Sequence, residues 1–386
     1  MPSETTMPGS ATGSAKTRLL GPPVGLTAEG SAVIRLARVI CILAMTYVHV
    51  HPWAMEMDIA QHGVRVFDGV RLYVVEAFSR ASVALLSVIS GYLLLATGAG
   101  KGYGTLVRGK LRTLFVPLLA WNLIGLALMT AANGGRMPIG TDLRSILDGL
   151  VALAGWPVVT PLSFLRDILL CGLLSPVMVA VLRRAPLPAL LAALCWYFLV
   201  PEGVVFLRPV IPLFFMVGLA LAIHGLPRWP GTGFWWAVLA GWVLLPATIV
   251  VLRLRVEMGQ DLGAIPGVGV EQVLHALRLA ARVAGALSVL WLAQHLLHHP
   301  IGRVLARAEP YIFLFFCAHT LAFSLFWMLW EPAFGGYYGP AYPLFFATAP
   351  VLALLLTIPA ARIAGRIAPG PLALLNGGRR LRKEEG

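Results

Sequence analysis

The sequence predicts an all-α, polytopic membrane helix bundle of about ten transmembrane helices with both termini cytoplasmic. Three observations predict it. Hydrophobic residues fill 58% of the 386 positions and charged residues 12%, with a mean hydropathy of +0.81; an average soluble domain carries about 25% charge. Apolar runs of the length that crosses a hydrocarbon core, about 20 residues, recur along the chain. Arginine and lysine gather on alternate connections, as they do on the cytoplasmic side of membrane proteins.

Residues 1–30, rich in Ser, Thr, Gly and Pro, lack a run of spanning length and read as a disordered cytoplasmic tail. The membrane domain then occupies 31–368, and 369–386 reads as a basic cytoplasmic tail. The first run, 33–54, is long for a signal-peptide core and lacks a small-residue cleavage site, so it reads as a retained helix. Further runs fall near 76–98, 111–132, 162–183, 186–201, 207–224, 233–252, 274–297, 310–331 and 342–365. The run 186–201 is short and bounded by Pro186 and Pro201, and 145–157 reads as a half-helix or re-entrant piece.

Charge is an independent check on that count. Ten spans put Lys101, Arg108, Lys110, Arg112, Arg183, Arg184, Arg228, Arg303, Arg307 and the RRLRK run at 379–383 on one side. The opposite connections carry Arg65, Arg71, Arg136, Arg144, Arg208, Arg253 and Arg255, offset by Glu56, Asp58, Asp68, Asp142, Asp148, Glu257 and Asp261. A formal net charge of +13 built this way reflects membrane topology rather than nucleic-acid binding. Cys41, Cys171, Cys195 and Cys317 all fall in apolar runs without metal-ligand spacing, and His295, His298 and His299 read as an interfacial loop. No metal site and no permanently bound cofactor are expected.

Arg38 and His49 lie eleven positions apart in RLARVICILAMTYVHVHPW. On an α-helix eleven residues advance ~16 Å and turn ~20° past three revolutions, so both side chains look the same way at two depths. Ionisable groups in a membrane helix usually line an interior path; the alternative is that Arg38 snorkels to one interface and His49 rests in the other. An imidazole there titrates near neutral pH and can take the proton of an alcohol during acyl transfer. Tyr47, His51 and Trp53 crowd the same helix end.

The connection KGYGTLVRGKLRTLFVP concentrates Arg108, Lys110 and Arg112, read either as positive-inside topology or as ligands for the phosphates of a cytoplasmic donor. Coenzyme A would suit such a site. Arg166 and Asp167 enter an otherwise apolar helix; adjacent residues point about 100° apart, so each is expected to find a partner on another helix. In SVISGYLLL, Ser90 and Gly91 permit close helix packing and Tyr92 offers a hydroxyl. His319 sits mid-helix in EPYIFLFFCAHTLAF. The aromatic segment EPAFGGYYGPAYP, 331–343, reads either as a surface for sugar rings or as an interfacial belt.

In their order along the chain these phrases resemble the acyltransferase-3 family of integral membrane O-acyltransferases, which modify bacterial surface and secreted glycans. The resemblance covers about 33–365 and rests on the arginine, ten residues and histidine of Arg38 and His49, on SVISGYLLL, RGKLRTLFVP, LSFLRDILLCGLLSP and PLFFMVGLALA, and on YIFLFFCAHT. The chain departs from the family in carrying Ser87, Val88 and Ile89 where bulky aromatics usually precede SGY, and Thr46 and Tyr47 where apolar residues are usual. It also lacks the appended extracytoplasmic hydrolase-like domain of some members.

The resemblance implies transfer of an acyl group, commonly acetyl, from cytoplasmic acyl-CoA to a hydroxyl of an extracytoplasmic glycan, in the inner membrane of a bacterium. It implies His49 and Arg38 as catalytic residues, Arg108, Lys110 and Arg112 as donor-binding residues, and Tyr92, Arg166, Asp167 and His319 as substrate-binding residues. The partners implied are acyl-CoA, the glycan acceptor and the lipid bilayer, with a polysaccharide synthase, export machinery or a second copy of the chain as further candidates, and no nucleic acid. Two other readings compete with it: a non-enzymatic carrier of glycan or lipid-linked precursor, and a membrane subunit of a polysaccharide synthase complex.

Overall fold

The computed structural model describes residues 25–52, 63–98, 102–225, 231–260 and 269–381. Most of the expected N-terminal tail, Trp53, Glu56, Asp58, Lys101, Arg228, Asp261 and the last two residues of the RRLRK run lie outside them.

Among the described residues the secondary structure is helical. Helix α1, Ala28–Met45, starts where the Thr27 hydroxyl accepts from the Gly30 amide. It is followed by α2 (Val66–Thr97), α3 (Tyr103–Ala132), α4 (Leu143–Val151), α5 (Ser163–Arg184), α6 (Pro186–Leu199), α7 (Val210–His224), α8 (Thr232–Glu257), α9 (Val270–Leu296), α10 (Pro300–Ala306), α11 (Ile312–Phe334), α12 (Tyr342–Ile367) and α13 (Pro369–Leu375). Eight helical stretches among the described residues are long and apolar enough to cross a membrane. The short apolar helices α6 and α7, with 14 and 15 residues, complete the bundle. The protein is an integral membrane helix bundle.

At 1.5 Å per residue α6 and α7 measure only ~22 Å, against ~30 Å for a bilayer core. The far end of α7 is level with the end of α5, where His224 Nε2 meets the Leu182 carbonyl at 3.2 Å. The deficit therefore falls at the opposite end, and the connection 200–209 sits recessed there. Asp167, at the start of α5 and fully buried, accepts from the amides of Leu207 and Arg208 at 3.1 and 2.9 Å and holds that connection down.

Helices α2 and α7 approach each other closely enough for their backbones to touch. A Cβ on Gly91 would fall on the Phe215 carbonyl oxygen, and one on Gly218 would fall on the Val88 carbonyl oxygen. The small residues of SGY and of MVGLA thus face each other, and only hydrogen at both positions allows the two backbones to touch.

The stretch 145–157 does turn back on itself. Asp142 caps α4, which stops at Ala152 in the left-handed conformation. Asn122, inside α3, donates to the Leu150 carbonyl and accepts from the Val159 amide, both at 2.9 Å, pinning the descending and returning arms. The C-terminal segment is not a free tail as far as Leu381. Trp121 donates to the Leu375 carbonyl at 3.1 Å, Asn376 is fully buried, and Gly377 and Gly378 turn the chain inward at φ of +65° and +80°. Arg38, in the third turn of α1, and Arg379, beyond α13, line the same cavity, so the first and last membrane helices begin and end at the same end of the bundle.

Candidate active site

Helix α1 does not stay α-helical as far as His49. It ends at Met45, and Thr46–His49 tighten into a 3-10 turn, with the Thr46 hydroxyl donating to the Leu43 carbonyl at 2.7 Å. Four residues at about 120° instead of 100° carry His49 roughly 80° beyond the face that straight α geometry assigns it. Both groups nevertheless address the same neighbour, helix α11 and the turn before it. Arg38 Nη1 lies 3.7 Å from Glu309, and the ring of His49 lies 5.3 Å from that of His319.

His319 is buried, walled by Phe315, Phe316 and Phe323. Its Nδ1 lies 2.6 Å from the Phe316 carbonyl oxygen. A carbonyl only accepts, which assigns the proton to Nδ1 and leaves Nε2 as a buried acceptor with no hydrogen-bond partner. An unpaired acceptor beside a second imidazole is costly unless something occupies it during function.

The backbone after His49 is clamped. Arg71, 1% exposed, donates to the carbonyls of Val50 and Pro52 and is ringed by Tyr337 and Tyr342, 5.0 and 5.6 Å from its guanidinium carbon. Tyr342 donates to the His51 carbonyl at 2.7 Å, and His51 Nε2 meets Ser324 of α11 at 3.1 Å. The aromatic segment 331–343 is split between inside and surface, with Phe334 and Tyr338 exposed. Tyr337 and Tyr342 are buried, and Tyr337 donates to Asp68 at 2.5 Å. The segment's tyrosines cage Arg65 and Arg71, while Phe334 and Tyr338 lie on the surface, where a surface for sugar rings or an interfacial belt would place them. Arg71, counted in the sequence as an outer charge, has no periodic signal that would have flagged it.

At the other end a cavity of about 230 Å³ opens between α1, α2, α3, α5, α11 and the C-terminal segment. Its cationic wall is Arg38, Lys110 and Arg379; its floor is apolar, with Ile42, Ile89, Phe313 and Phe316, and Ser90 adds a hydroxyl. The Phe316 that lines this floor is the residue whose carbonyl latches His319. Arg379 stacks over Phe313 at 5.2 Å, and burial pushes its guanidinium below the usual range, a shift that Glu309 opposes. The sequence counted Arg379 only as part of a basic tail.

The predicted residues are not all gathered here. Lys110 lines the cavity with Arg38, whereas Arg108 is exposed and does not. Arg112, also exposed, lies along the backbone of Gly378, next to Arg379. Arg108 and Lys110 are two residues apart on regular α-helix, about 200° around its axis, so one face cannot hold both; Leu111–Phe115 then form a π turn that carries Arg112. Tyr92 is half-buried in the apolar core and is not among the cavity-lining residues, unlike Ser90 two positions earlier.

Arg166 and Asp167 differ from expectation: they pair with each other at 2.8 Å, and their remaining partners are loop backbone. Arg166 donates to the carbonyls of Ala152, Leu153 and Val205 at 3.0, 3.1 and 2.6 Å. The pair is a staple between two connections, tying the backbone at 152–153 to that at 205–208. His295 stacks on Trp291 at 4.0 Å and His299 caps α10 by accepting from the Ile301 amide.

A polytopic helix bundle with a cation-walled cavity leading toward paired histidines is the frame of a membrane group-transfer enzyme. The profile of the acyltransferase domain matches residues 32–362. The chain is also 31% identical over 363 residues to succinoglycan biosynthesis protein ExoH of Rhizobium meliloti (strain 1021), which covers 92% of this chain and 94% of that protein. The protein belongs to the acyltransferase-3 family and is a membrane acyltransferase. No solved structure matches it.

Proposed function

We propose that the protein transfers an acyl group, acetyl in the simplest case, from acyl-CoA to a hydroxyl of an extracytoplasmic glycan. The observation that carries this reading is the cavity bounded by Arg38, Lys110 and Arg379, whose floor at Phe316 adjoins the His49 and His319 rings. Pockets that enclose a drug-sized ligand measure roughly 300–1,000 Å³. At about 230 Å³ this one suits a slender acyl-pantetheine arm, with the nucleotide and its phosphates left at the cationic mouth. Guanidinium and ammonium groups supply the charge-assisted bonds that phosphates require.

In the proposed reaction His49 accepts the proton of the acceptor hydroxyl as its oxygen attacks the thioester carbonyl. The tetrahedral intermediate collapses with cleavage of the C–S bond; the thiolate leaves and takes up the proton, giving a glycan ester and free coenzyme A. An acyl-imidazole on His49 is the alternative order of the same bond changes. The similarity to a succinoglycan biosynthesis protein supports a polysaccharide as the acceptor, and the positive-inside distribution supports a cytoplasmic donor face in a bacterial inner membrane.

The test is binding of acetyl-CoA to detergent-purified protein. Lys110→Ala and Arg379→Ala are expected to weaken binding about 10-fold each, as loss of a charge-assisted phosphate contact does, and Arg108→Ala to weaken it less. Folded protein that binds neither acetyl-CoA nor a longer acyl-CoA would favour the carrier or synthase-subunit reading.

A further inference from the structure

The end of the bundle that holds His49 contains a second concentration of positive charge. The Ser79 hydroxyl donates to the Ala44 carbonyl at 2.9 Å, so the next residue, Arg80, is level with the last turns of α1. Arg80 Nε lies 2.8 Å from Glu76, and Arg278 Nε, on α9, lies 3.6 Å from the same carboxylate. Arg282, one turn further along α9, donates to the neutral Tyr197 hydroxyl of α6 at 2.8 Å. Arg208, at the foot of the recessed connection, stands over Trp156 at 5.0 Å and meets the exposed Glu202 only at 4.0 Å.

These four guanidinium groups act on one another. Burial lowers the Arg208 pKa, Arg80 lowers it further, and Glu202 and Asp167 oppose the shift. The Asp167 charge is already engaged by Arg166 and by two backbone amides. Of the other nearby charges, Arg253 is paired with Glu257 at 2.8 Å, and Glu271 is exposed. Four cations thus share Glu76, 3% exposed, and a solvent-screened Glu202. Arg80, Arg278 and Arg208 are 28%, 17% and 37% exposed, so the cluster is open to a solute, and like charges with few counter-charges favour an anion that arrives to complete them.

We infer that Arg80, Arg208, Arg278 and Arg282 form an anion-binding recess, open on the His49 side, that takes a carboxylate or phosphate group carried by the acceptor saccharide. The inference rests on the acyl-acceptor reading above. The recess exists because α6 and α7 are too short to reach the surface at this end, which leaves the 200–209 connection and Tyr197 below it. Its walls suit a sugar acid better than a bare ion. Tyr197, Phe198 and His275 form an aromatic group, with the His275 ring 4.4 and 5.5 Å from the other two, beside the guanidinium fork of Arg282. Ser79, next to Arg80, bonds to Ala44 five residues before His49, so an anion held here lies at the His49 end of the bundle. The donor cavity, with its own cations, lies at the other end of the bundle.

The experiment is thermal unfolding of the full chain in detergent, titrated separately with glucuronate, inorganic phosphate and, as an ionic-strength control, chloride. A saturable rise in midpoint with glucuronate or phosphate, absent with chloride, is the expected result, and the better of the two probes names the acid. Arg282→Gln and Arg278→Gln weaken the apparent affinity about 10-fold, Arg282→Lys less because it keeps the charge but not the fork. Acetyl-CoA affinity is unchanged in all three, which separates this site from the donor site. No saturable response to either probe, or equal shifts with chloride, overturns the inference. So does stabilisation by phosphatidylglycerol in nanodiscs with none by glucuronate or phosphate, which would assign the cluster to lipid headgroups. These outcomes are decided on the wild-type chain even if a Gln variant fails to fold.

Discussion

The imidazoles of His49 and His319 lie with ring centroids 5.3 Å apart at the base of α11, although 270 positions separate them in the chain. Among the described residues neither is paired with a carboxylate. His319 is oriented by the Phe316 carbonyl, and His49 by the 3-10 turn that ends α1 and by the clamp on the residues after it.

The first prediction follows from that geometry. His49→Ala is expected to abolish transfer while leaving folded protein in the membrane. In His319→Asn the amide nitrogen can replace Nδ1 as donor to Phe316 but supplies nothing at Nε2; turnover is expected to fall about 100-fold, the lower range for loss of a positioned proton acceptor, with the melting temperature little changed. Thiol released from acyl-CoA in acceptor-containing membranes is the readout. Full activity in the Asn variant would reduce His319 to a latch for a carbonyl.

Arg71 acts on the reaction through the backbone it grips. Arg71→Lys keeps the charge but loses the planar fork that reaches the Val50 and Pro52 carbonyls. Turnover is expected to drop about 10-fold or more, as misplacement of a catalytic group by ~1 Å can do, with acetyl-CoA affinity unaltered. A parallel loss of donor affinity would show that the clamp is not local to His49.

Gly91 and Gly218 test the packing of α2 on α7. Either one replaced by Ala puts a methyl group on a backbone carbonyl of the partner helix, and rigid backbone cannot yield as a side chain does. Each variant is expected to lose about 1–3 kcal/mol of stability, the usual cost of overpacking. Thermal unfolding in detergent measures it, and a neutral result would mean that the two helices separate without cost.

Gly377 offers a way to move Arg379 without changing it. At φ +65° an L-residue costs about 1–2 kcal/mol, and a Cβ there would also lie 2.8 Å from the Thr113 carbonyl oxygen. Gly377→Ala is expected to displace the C-terminal turn and weaken acetyl-CoA binding several-fold, with His49-dependent chemistry intact at saturating donor. Unchanged affinity would exclude the C-terminal segment from the donor site.

Much of this was readable along the chain because it is carried by local pattern. Runs of apolar residues specify membrane helices whatever they pack against, and an arginine or histidine inside such a run must face the interior. Arg38, His49 and His319 therefore stood out, and the small residues around Gly91 announced a close approach before its partner Gly218 was known. Arg379 and Arg71 did not stand out. A basic residue after the last helix looks the same whether it is solvated or folded back, and an arginine near a helix end looks the same whether it faces headgroups or two buried carbonyls.

By itself the sequence determined the class of bundle, the family and the residue types at the reacting end, since hydropathy, charge asymmetry and short motifs are properties of neighbours in the chain. Only the tertiary structure decided which groups meet. It turned His49 by a tightened last turn, set Lys110 but not Arg108 into the cavity, and brought the C-terminal arginine beside Arg38. It also brought Arg80 and Arg278, from different helices, to the single carboxylate of Glu76. The reason is physical: burial and charge pairing depend on distances between segments remote in sequence, and a turn of one residue's rotation decides which side of a helix a cation occupies.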